Sequence, residues 1–250
     1  MTLRVGVLGG SGRMGSAACA AIDAAEDLEL VASLGSADVR DELVQAGAQV
    51  AVDLTRPDAV MENVRFCIEH GIHVVVGTSG MDDERLEAVR RWLAKAPGVG
   101  VVVVPNFAIG AVLMMRFAAE AARWFESVEV IERHHPDKAD APSGTARRTA
   151  SMVASARQAA GLGTMPDATS EALEGARGAR VDGVPVHAVR ARGLVASQEV
   201  LLGGQGETFS LRHDTLDRSS FMPGVLLAVR QVAGRPGLTL GLDPLLGLDD

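Results

Sequence analysis

Short apolar runs alternate with amphipathic stretches through the first hundred residues of the chain. The apolar runs predict strands over residues 3–8, 28–34, 49–54, 72–76 and 99–104. Apolar positions at helical spacing predict helices over residues 16–25, 57–69 and 82–96. Nearly apolar strands that alternate with helices are typical of a parallel sheet covered on both faces. We therefore predict an α/β domain in this part of the chain.

The pattern changes after residue 108. A long apolar helix is predicted over residues 109–125, then a strand over 128–133 and a helix over 145–160. A polar, glycine-rich loop is predicted at 161–183, followed by strands at 184–192, 197–202 and 207–214. These strands favour an antiparallel or mixed sheet. A helix at 221–232 and an apolar tail at 237–248, which we expect to pack onto another element, complete the pattern.

The composition is that of a globular protein with an aliphatic core. Hydrophobic residues make up 47% of the 250 residues, and aromatic residues make up only 3%. The formal net charge is −8 and the arginines are spread along the chain, which argues against a nucleic-acid partner. No apolar run approaches the roughly 18–20 residues that a membrane-spanning helix needs, and the chain begins with a predicted strand rather than a signal peptide. We expect a soluble, cytoplasmic protein.

A glycine-rich turn follows the first predicted strand. Gly9, Gly12 and Gly15 form a G-x-x-G-x-x-G pattern, which is close to the dinucleotide-binding fingerprint but not identical with it. Glycine permits the tight turn and lets backbone N–H groups approach a pyrophosphate at the start of the next helix. The position of the turn between a strand and a helix predicts dinucleotide binding, and the alternative is a tight structural turn.

Two later loops also follow apolar strands, at Gly77-Thr78-Ser79-Gly80 and at Pro105-Asn106-Phe107. In open α/β sheets, ligands bind outside the carboxyl ends of the strands. These loops are therefore candidates for holding a nicotinamide ring. Ordinary strand-to-helix turns are the alternative.

The second predicted strand lacks the acidic residue that would bind the adenosine ribose of NADH. Gly35 stands near its end. Asp38, three residues later, is interpreted as a solvated loop acid, and a ligand to the ribose is the alternative. Arg13 or Arg40 is a candidate to contact the 2′-phosphate of NADPH. The choice between NADH and NADPH stays open, and the sequence predicts no strong preference for NADH.

The segment of residues 132–146 reads Glu-Arg-His-His-Pro-Asp-Lys-Ala-Asp-Ala-Pro-Ser-Gly-Thr-Ala. His134 and His135 can move protons near neutral pH, and Lys138 can hold an anion or donate a proton. A metal site is not expected, because no nearby cysteine or HExxH pattern supports one. A structural histidine pair is the alternative.

The same segment ends in Ser143, Gly144 and Thr145, which open a predicted helix. Backbone N–H groups at a helix start can bind an anion. Capping of the helix by Ser143 or Thr145 is the alternative. On one strand–loop–helix unit, proton donors and an anion site predict a reaction on a small acidic substrate.

These features resemble the dihydrodipicolinate reductase family of bacterial lysine and diaminopimelate biosynthesis over essentially the whole chain. The most specific feature is His-His-x-x-Lys-x-Asp-Ala-Pro-Ser-Gly-Thr-Ala, supported by residues 7–15, 77–80 and 105–110. The form of residues 212–224 fits the actinobacterial branch. Two positions depart from the usual pattern: Ser79 replaces a threonine, and Gly35 stands where related sequences often carry an acid.

The resemblance implies two domains. Residues 1–107 with 217–250 would form a Rossmann-type, parallel-sheet nucleotide-binding domain. Residues 108–216 would form an α+β domain with a mixed sheet, which binds substrate and builds a homotetramer. The implied reaction uses NADH or NADPH to reduce the cyclic imine derived from 4-hydroxy-tetrahydrodipicolinate to tetrahydrodipicolinate.

The resemblance also implies roles for individual residues. His134 would be the general acid/base and Lys138 the proton donor, while His135, Gly144 and Thr145 would hold the substrate. The implied cofactor-binding residues are Gly9, Gly10, Ser11, Gly12, Arg13, Met14, Gly77, Thr78, Ser79, Val104, Pro105, Asn106 and Phe107.

Two other functions are compatible with parts of the sequence. The first is another imine or aldehyde dehydrogenase, but a thioester-forming aldehyde dehydrogenase needs a catalytic cysteine. Cys19 and Cys67 lie in predicted helices, where we expect buried structural thiols. The second is a redox-sensing protein that binds a dinucleotide without turnover. Such a protein would be expected to have lost the proton donors at His134, His135 and Lys138.

Overall fold

The computed structural model describes residues 2–248. Contacts between residues divide the chain into two compact units, Met1–Ile109 with Arg218–Asp250 and Gly110–Asp217. The first unit is therefore built from two segments that are far apart in the sequence.

The helices and strands follow one another in a regular order. They are β1 (Leu3–Leu8), α1 (Arg13–Asp23), β2 (Leu28–Leu34), α2 (Asp41–Gln45), β3 (Val50–Asp53), α3 (Val60–Glu69), β4 (His73–Val76), α4 (Asp83–Leu93), β5 (Gly100–Val103), α5 (Ile109–Ala121), β6 (Ser127–His134), α6 (Gly144–Ala159), β7 (Ala179–Val181), β8 (Val184–Arg190), β9 (Ala196–Gly204), β10 (Glu207–Thr215), α7 (Met222–Val232) and β11 (Gly237–Leu240). Short 3₁₀ helices at Arg218–Phe221 and Asp243–Leu246 flank the last helix and strand.

The first unit is a six-stranded parallel sheet in the order β11-β5-β4-β3-β1-β2. α3 packs against α4, and α1 packs against α7. Val74 and Val76 belong to the core that includes α3 and α4, whereas Val75 points to the opposite face, since side chains alternate along a strand. Both faces are thus buried under helices, which explains the nearly apolar strands. The predicted Rossmann-type fold is confirmed.

The second unit contains a five-stranded sheet in the order β10-β9-β6-β8-β7. β8 is parallel to β6, and the other neighbouring pairs are antiparallel. The core of this unit joins the small side chains of α5 and α6 to Val130, Val186 and Val200 of the sheet. The predicted mixed sheet is confirmed.

Three elements were not predicted, and one helix ends earlier than its apolar pattern suggests. α2 and β7 are too short to show a periodic pattern. The apolar tail forms β11, which extends the first sheet beside β5. α5 ends at Ala121, and in the segment that follows it the carbonyl oxygens of Phe125 and Glu126 accept from the buried Arg157 guanidinium, at 2.5 and 3.1 Å. Such long-range hydrogen bonds have no local sequence signal.

The two cysteines lie in helices, as predicted, but they differ in burial. Cys67 on α3 is fully buried, and burial raises its thiol pKa to about 12. Cys19 on α1 is only half-buried, and its Sγ atom lies 3.4 Å from Ser33 Oγ. The prediction of a buried thiol therefore holds for Cys67 and is wrong for Cys19. Separately, none of the helices within residues 2–248 has the length and hydropathy to cross a membrane.

Candidate active site

The turn between β1 and α1 brings a strand end and a helix start into close contact. Gly9 has a φ of +84°, a conformation that residues with a side chain rarely adopt. A Cβ atom on Gly15 would lie 2.0 Å from the Gly9 carbonyl oxygen. Glycine at both positions is what allows α1 to begin so close to the strand.

The N-terminus of α1 suits an anion. Its N-cap residue, Gly12, has no side chain that could accept from the first N–H groups of the helix. The first turn of the helix begins with Arg13 and contains no acidic residue. Because helix N-termini carry partial positive charge and exposed N–H donors, these residues fit the pyrophosphate of a dinucleotide.

A cavity of about 460 Å³ opens beside this turn, a size that suits part of a small organic ligand. Its lining includes Gly9, Ser11, Gly12, Gly35, Asp38 and Arg40. Gly10, Arg13 and Met14 belong to the same turn and first helical residues but lie outside this lining.

The loops after β4 and β5 are fixed by hydrogen bonds at the same edge of the sheet. The N–H of Val104 donates to the Val76 carbonyl oxygen at 2.8 Å. The side-chain oxygen of Asn106 accepts from the Ala108 N–H at 2.9 Å, just before α5 begins. The other predicted cofactor residues in these loops are Gly77, Thr78, Ser79, Pro105 and Phe107, of which Thr78 and Phe107 are buried.

A buried carboxylate ties these loops together. Asp53, the last residue of β3, is fully buried. It accepts from the Thr55 hydroxyl at 2.7 Å, the Asn63 side-chain amide at 2.8 Å and the Thr78 hydroxyl at 2.5 Å. Thr55 and Asn63 also line the cavity. Asp53 therefore positions side chains around the proposed cofactor crevice, although the sequence marked it only as a strand end.

In the second unit, His134 is the last residue of β6, and its Nδ1 atom lies 2.5 Å from Glu132 Oε2. Glu132 is fully buried. Its two carboxylate oxygens also accept from both terminal nitrogens of Arg190, each at 2.8 Å. An ionised carboxylate only accepts hydrogen bonds, so Nδ1 of His134 carries a proton. The other ring nitrogen, Nε2, is left to exchange a proton with a ligand.

The charges in this cluster act on one another. Burial alone would raise the pKa of Glu132, but hydrogen bonds from Arg190, His134 and the Ser143 N–H outweigh it and lower that pKa. Burial lowers the pKa of His134, the charge of Glu132 opposes this, and the charges of Lys138 and Arg190 add to it. Glu132 is therefore ionised near neutral pH, and it keeps His134 more basic than burial alone would allow.

Lys138 lies in the loop after β6, and its Nζ atom donates to Asp140 Oδ1 at 2.6 Å. This hydrogen bond is the main reason why the pKa of Asp140 is lowered, and the Gly144 backbone N–H contributes to the same shift. One carboxylate thus already interacts with both Lys138 and the start of α6. His135, by contrast, is exposed.

The start of α6 is fixed by Ser143. Its hydroxyl accepts from the Ala146 N–H at 3.1 Å, which makes Ser143 the N-cap. Its own N–H donates to Glu132 Oε1 at 3.1 Å. Gly144 and Thr145 are the first two residues of the helix, and a Cβ on Gly144 would meet no atom within 4 Å. The backbone there faces open space, as an anion site requires.

Comparison with known proteins places the chain in a family. A family model described as dihydrodipicolinate reductase, N-terminus, matches residues 3–107, and one described as dihydrodipicolinate reductase, C-terminus, matches residues 110–246. The chain belongs to the dihydrodipicolinate reductase family. The resemblance seen in the sequence is thereby confirmed.

Individual members of the family are similar over their full length. The 4-hydroxy-tetrahydrodipicolinate reductase of Nocardia farcinica is 64% identical over 248 residues, which are 99% of this chain and 100% of that protein. The enzyme of the same name from Streptomyces griseus is 62% identical over 247 residues, covering 99% of each chain. A dipicolinate-bound dihydrodipicolinate reductase from Paenisporosarcina superposes with a TM-score of 0.87 at 40% identity, covering 98% of this chain and 99% of that one. A probable dehydrogenase from Thermotoga maritima, at 14% identity and a TM-score of 0.58, shares the fold alone.

Sequence reasoning did not identify Glu132 and Arg190 as the residues that hold His134 in place. Glu132 had a signal, because Val128 and Val130 put every second residue of β6 on the buried face. Arg190 had none, since its contact with Glu132 depends on the pairing of β6 with β8.

Proposed function

We propose that this chain is a 4-hydroxy-tetrahydrodipicolinate reductase. It reduces the cyclic imine derived from 4-hydroxy-tetrahydrodipicolinate to tetrahydrodipicolinate with NADH or NADPH, in lysine and diaminopimelate biosynthesis. The observation that carries the proposal is the hydrogen-bonded pair of buried Glu132 and half-buried His134, beside Lys138 and the start of α6. It joins a proton carrier to an anion site, as reduction of an unsaturated dicarboxylate requires.

The first unit is the proposed cofactor domain. The residues assigned to the cofactor are those of the turn at 9–14 and of the loops at 77–79 and 104–107. When bound there, the nicotinamide cofactor supplies the hydride. The fit of the turn to a pyrophosphate, and the anchoring of Thr78 by Asp53, support this assignment.

His134 is the proposed general acid/base. Hydride addition places an electron pair on the conjugated imine system, which must then gain a proton on a neighbouring atom. With Nδ1–H held by Glu132, the doubly protonated ring delivers that proton from Nε2, which leaves the neutral ring with its proton on Nδ1. Lys138 is the proposed proton donor beside it, and its positive charge stabilises the developing negative charge.

The start of α6 is the proposed site for one substrate carboxylate. Asp140 supports this assignment, because its own carboxylate interacts with Lys138 Nζ and is stabilised by the Gly144 N–H. A substrate carboxylate would replace Asp140 at these donors and gain the N–H of Thr145 as well. His135, which is exposed in the same loop, is proposed to contact the other end of the substrate.

The second unit is the proposed substrate-binding and oligomerisation domain, and the proposed assembly is a homotetramer. The sheet face away from the helices leaves Val189, which pairs with Arg133, 41% exposed, an area that contact with further copies would cover. We propose a cytoplasmic enzyme whose partner is a small dicarboxylate imine, with no nucleic-acid or membrane partner.

A thioester-forming aldehyde dehydrogenase is disfavoured. The high pKa and full burial of the Cys67 thiol leave it without thiolate character. Cys19, on α1 of the first unit, lies 3.4 Å from Ser33 Oγ, while the proton-carrying residues belong to the second unit.

The test is an assay with enzymatically made 4-hydroxy-tetrahydrodipicolinate, following loss of reduced nicotinamide absorbance. We expect turnover by the full chain and a loss of about 10²–10⁴-fold in Lys138→Met. The chain has one other lysine, Lys95, and Lys95→Met serves as the matched control with unchanged turnover. A folded chain that binds cofactor but does not turn over would favour the redox-sensing alternative.

A further inference from the structure

The cavity beside the glycine turn contains one carboxylate in a position that the sequence alone did not reveal. Asp38 lines this cavity, and its Oδ2 atom accepts from the Gly35 N–H at 2.6 Å. The loop of residues 35–38 therefore folds back on itself. The Asp38 carboxylate therefore lies beside Gly35, the residue that directly follows β2.

The position reached by this carboxylate is the one that an acid on the strand end would use. A Cβ built on Gly35 would lie 3.5 Å from Asp38 Oδ2, which is ordinary van der Waals contact. Asp38 thus fills the space that a longer side chain at residue 35 would enter. In dinucleotide-binding folds, an acid at this strand end hydrogen-bonds the adenosine ribose of NADH.

The two guanidinium groups that line the same cavity are already paired. Arg40 donates to the Asn63 side-chain oxygen at 2.7 Å and to Glu62 Oε2 at 2.7 Å. Arg56 forms an ion pair with Asp58 at 2.9 Å. Within residues 2–248, the Gly35 N–H is the only hydrogen-bond donor recorded for Asp38, so Oδ1 is left to accept from a ligand.

We infer that Asp38 replaces the missing strand-end acid, binds the ribose hydroxyls of the adenosine half, and makes this chain prefer NADH. A 2′-phosphate on NADPH would meet the Asp38 carboxylate, and its attraction to Arg40 would require the contacts with Glu62 and Asn63 to break. This inference rests on the proposed function for the dinucleotide site. It is opposite to the prediction from the sequence of no strong NADH preference, and the same measurement tests both.

The test is calorimetric binding to the full chain, without substrate, of NADH, NADPH and the two fragments ADP-ribose and 2′-phospho-ADP-ribose. Because the fragments lack nicotinamide, they report the adenosine half alone. Wild type should bind NADH and ADP-ribose about 10–100-fold more tightly than their 2′-phosphorylated counterparts, the range expected for hydrogen bonds to a charged group.

Three variants make the test specific. Asp38→Asn keeps an oxygen for the Gly35 N–H but removes the charge, and it should bring the ratio of the two affinities close to one. Adding Gly35→Asp to Asp38→Asn should restore the preference, because the carboxylate returns to the same space. Asp41→Asn, with the same change of charge on α2 and outside the cavity lining, should leave the ratio unchanged.

The possible results separate this inference from the proposed function. Equal binding of both dinucleotides by wild type, or the same loss of preference in Asp41→Asn and Asp38→Asn, would overturn the inference and leave the reductase proposal standing. Failure of wild type to bind either dinucleotide would overturn both.

Discussion

Within residues 2–248, each unit contains one fully buried carboxylate at or near the carboxyl end of a strand, and the two differ in what surrounds them. Asp53 in the first unit accepts from neutral donors, the side chains of Thr55, Asn63 and Thr78 and the backbone N–H of Thr55. Glu132 in the second unit faces a guanidinium and an imidazole.

The difference separates two uses of a buried acid. Within residues 2–248, the side chains that donate to Asp53 are hydroxyl and amide groups that do not titrate near neutral pH, so this carboxylate holds them in fixed places. Around Glu132 a titratable ring is in contact, so this carboxylate sets both the tautomer and the basicity of His134. Removing Asp53 should therefore affect stability and cofactor binding, while removing the charge of Glu132 should affect proton transfer.

The largest effect on kcat is expected from removing the imidazole ring of His134. His134→Gln should lower kcat by about 10²–10⁴-fold, since it removes the general acid while keeping a side chain of similar size. Steady-state kinetics measures the effect. His70→Gln, an exposed histidine at the end of α3, is the matched control. An unchanged kcat in His134→Gln would contradict the proposed role.

Removing the charge of Glu132 should have the next largest effect. Glu132→Gln should lower kcat by about 10–100-fold through loss of a charge-assisted hydrogen bond. Because Glu132 raises the pKa of His134, the variant lowers that pKa further. The loss of kcat/KM on the alkaline side should then begin at a lower pH than in wild type.

Lys138 provides a check on the direction of that shift. Its charge lowers the pKa of His134. In the residual activity of Lys138→Met, the alkaline loss should therefore move to a higher pH, opposite to Glu132→Gln. Shifts in the same direction would contradict the assignment of the pH profile to His134.

Asp53→Asn should produce a smaller effect of a different kind. The free energy of unfolding should fall by about 1.5–3 kcal/mol, since hydrogen bonds to a charged, buried acceptor are weakened. Urea denaturation measures this change. The Kd for the cofactor should rise, and the pH profile should stay where it is. A shift of that profile would mean that the two carboxylates do not differ as proposed.

The smallest effects are expected at the helix caps. Ser143→Ala removes the side-chain cap of α6 but keeps the N–H that Glu132 accepts, and it should cost about 1 kcal/mol of unfolding free energy. Asp82→Ala, which removes the cap of α4 in the first unit, should cost a similar amount. Neither variant should shift the pH profile. A shift in Ser143→Ala would show that the cap also supports His134.

What the sequence predicts well is what lies close together in it. The glycine turn and the segment of residues 132–146 are each continuous, so their strand–turn–helix form is visible in the pattern. Arg190 lies 58 residues from Glu132, and only the register between β6 and β8 brings them together. The same holds for Asp53 and Thr78, which meet because parallel strands end at one edge of the sheet. Sequence reasoning thus finds the reactive groups more readily than the residues that position them.

The central claim is that Glu132 holds one proton of His134 on Nδ1, so that Nε2 is the atom that gains and gives up the catalytic proton. Heteronuclear NMR of a chain labelled in the histidine ring nitrogens measures this tautomer directly, with the His134 signals identified by their loss in His134→Gln. At a pH where the ring is neutral, we predict a protonated Nδ1 and an unprotonated Nε2, an arrangement that weakens in Glu132→Gln. A neutral ring protonated on Nε2 in the wild type would contradict the account.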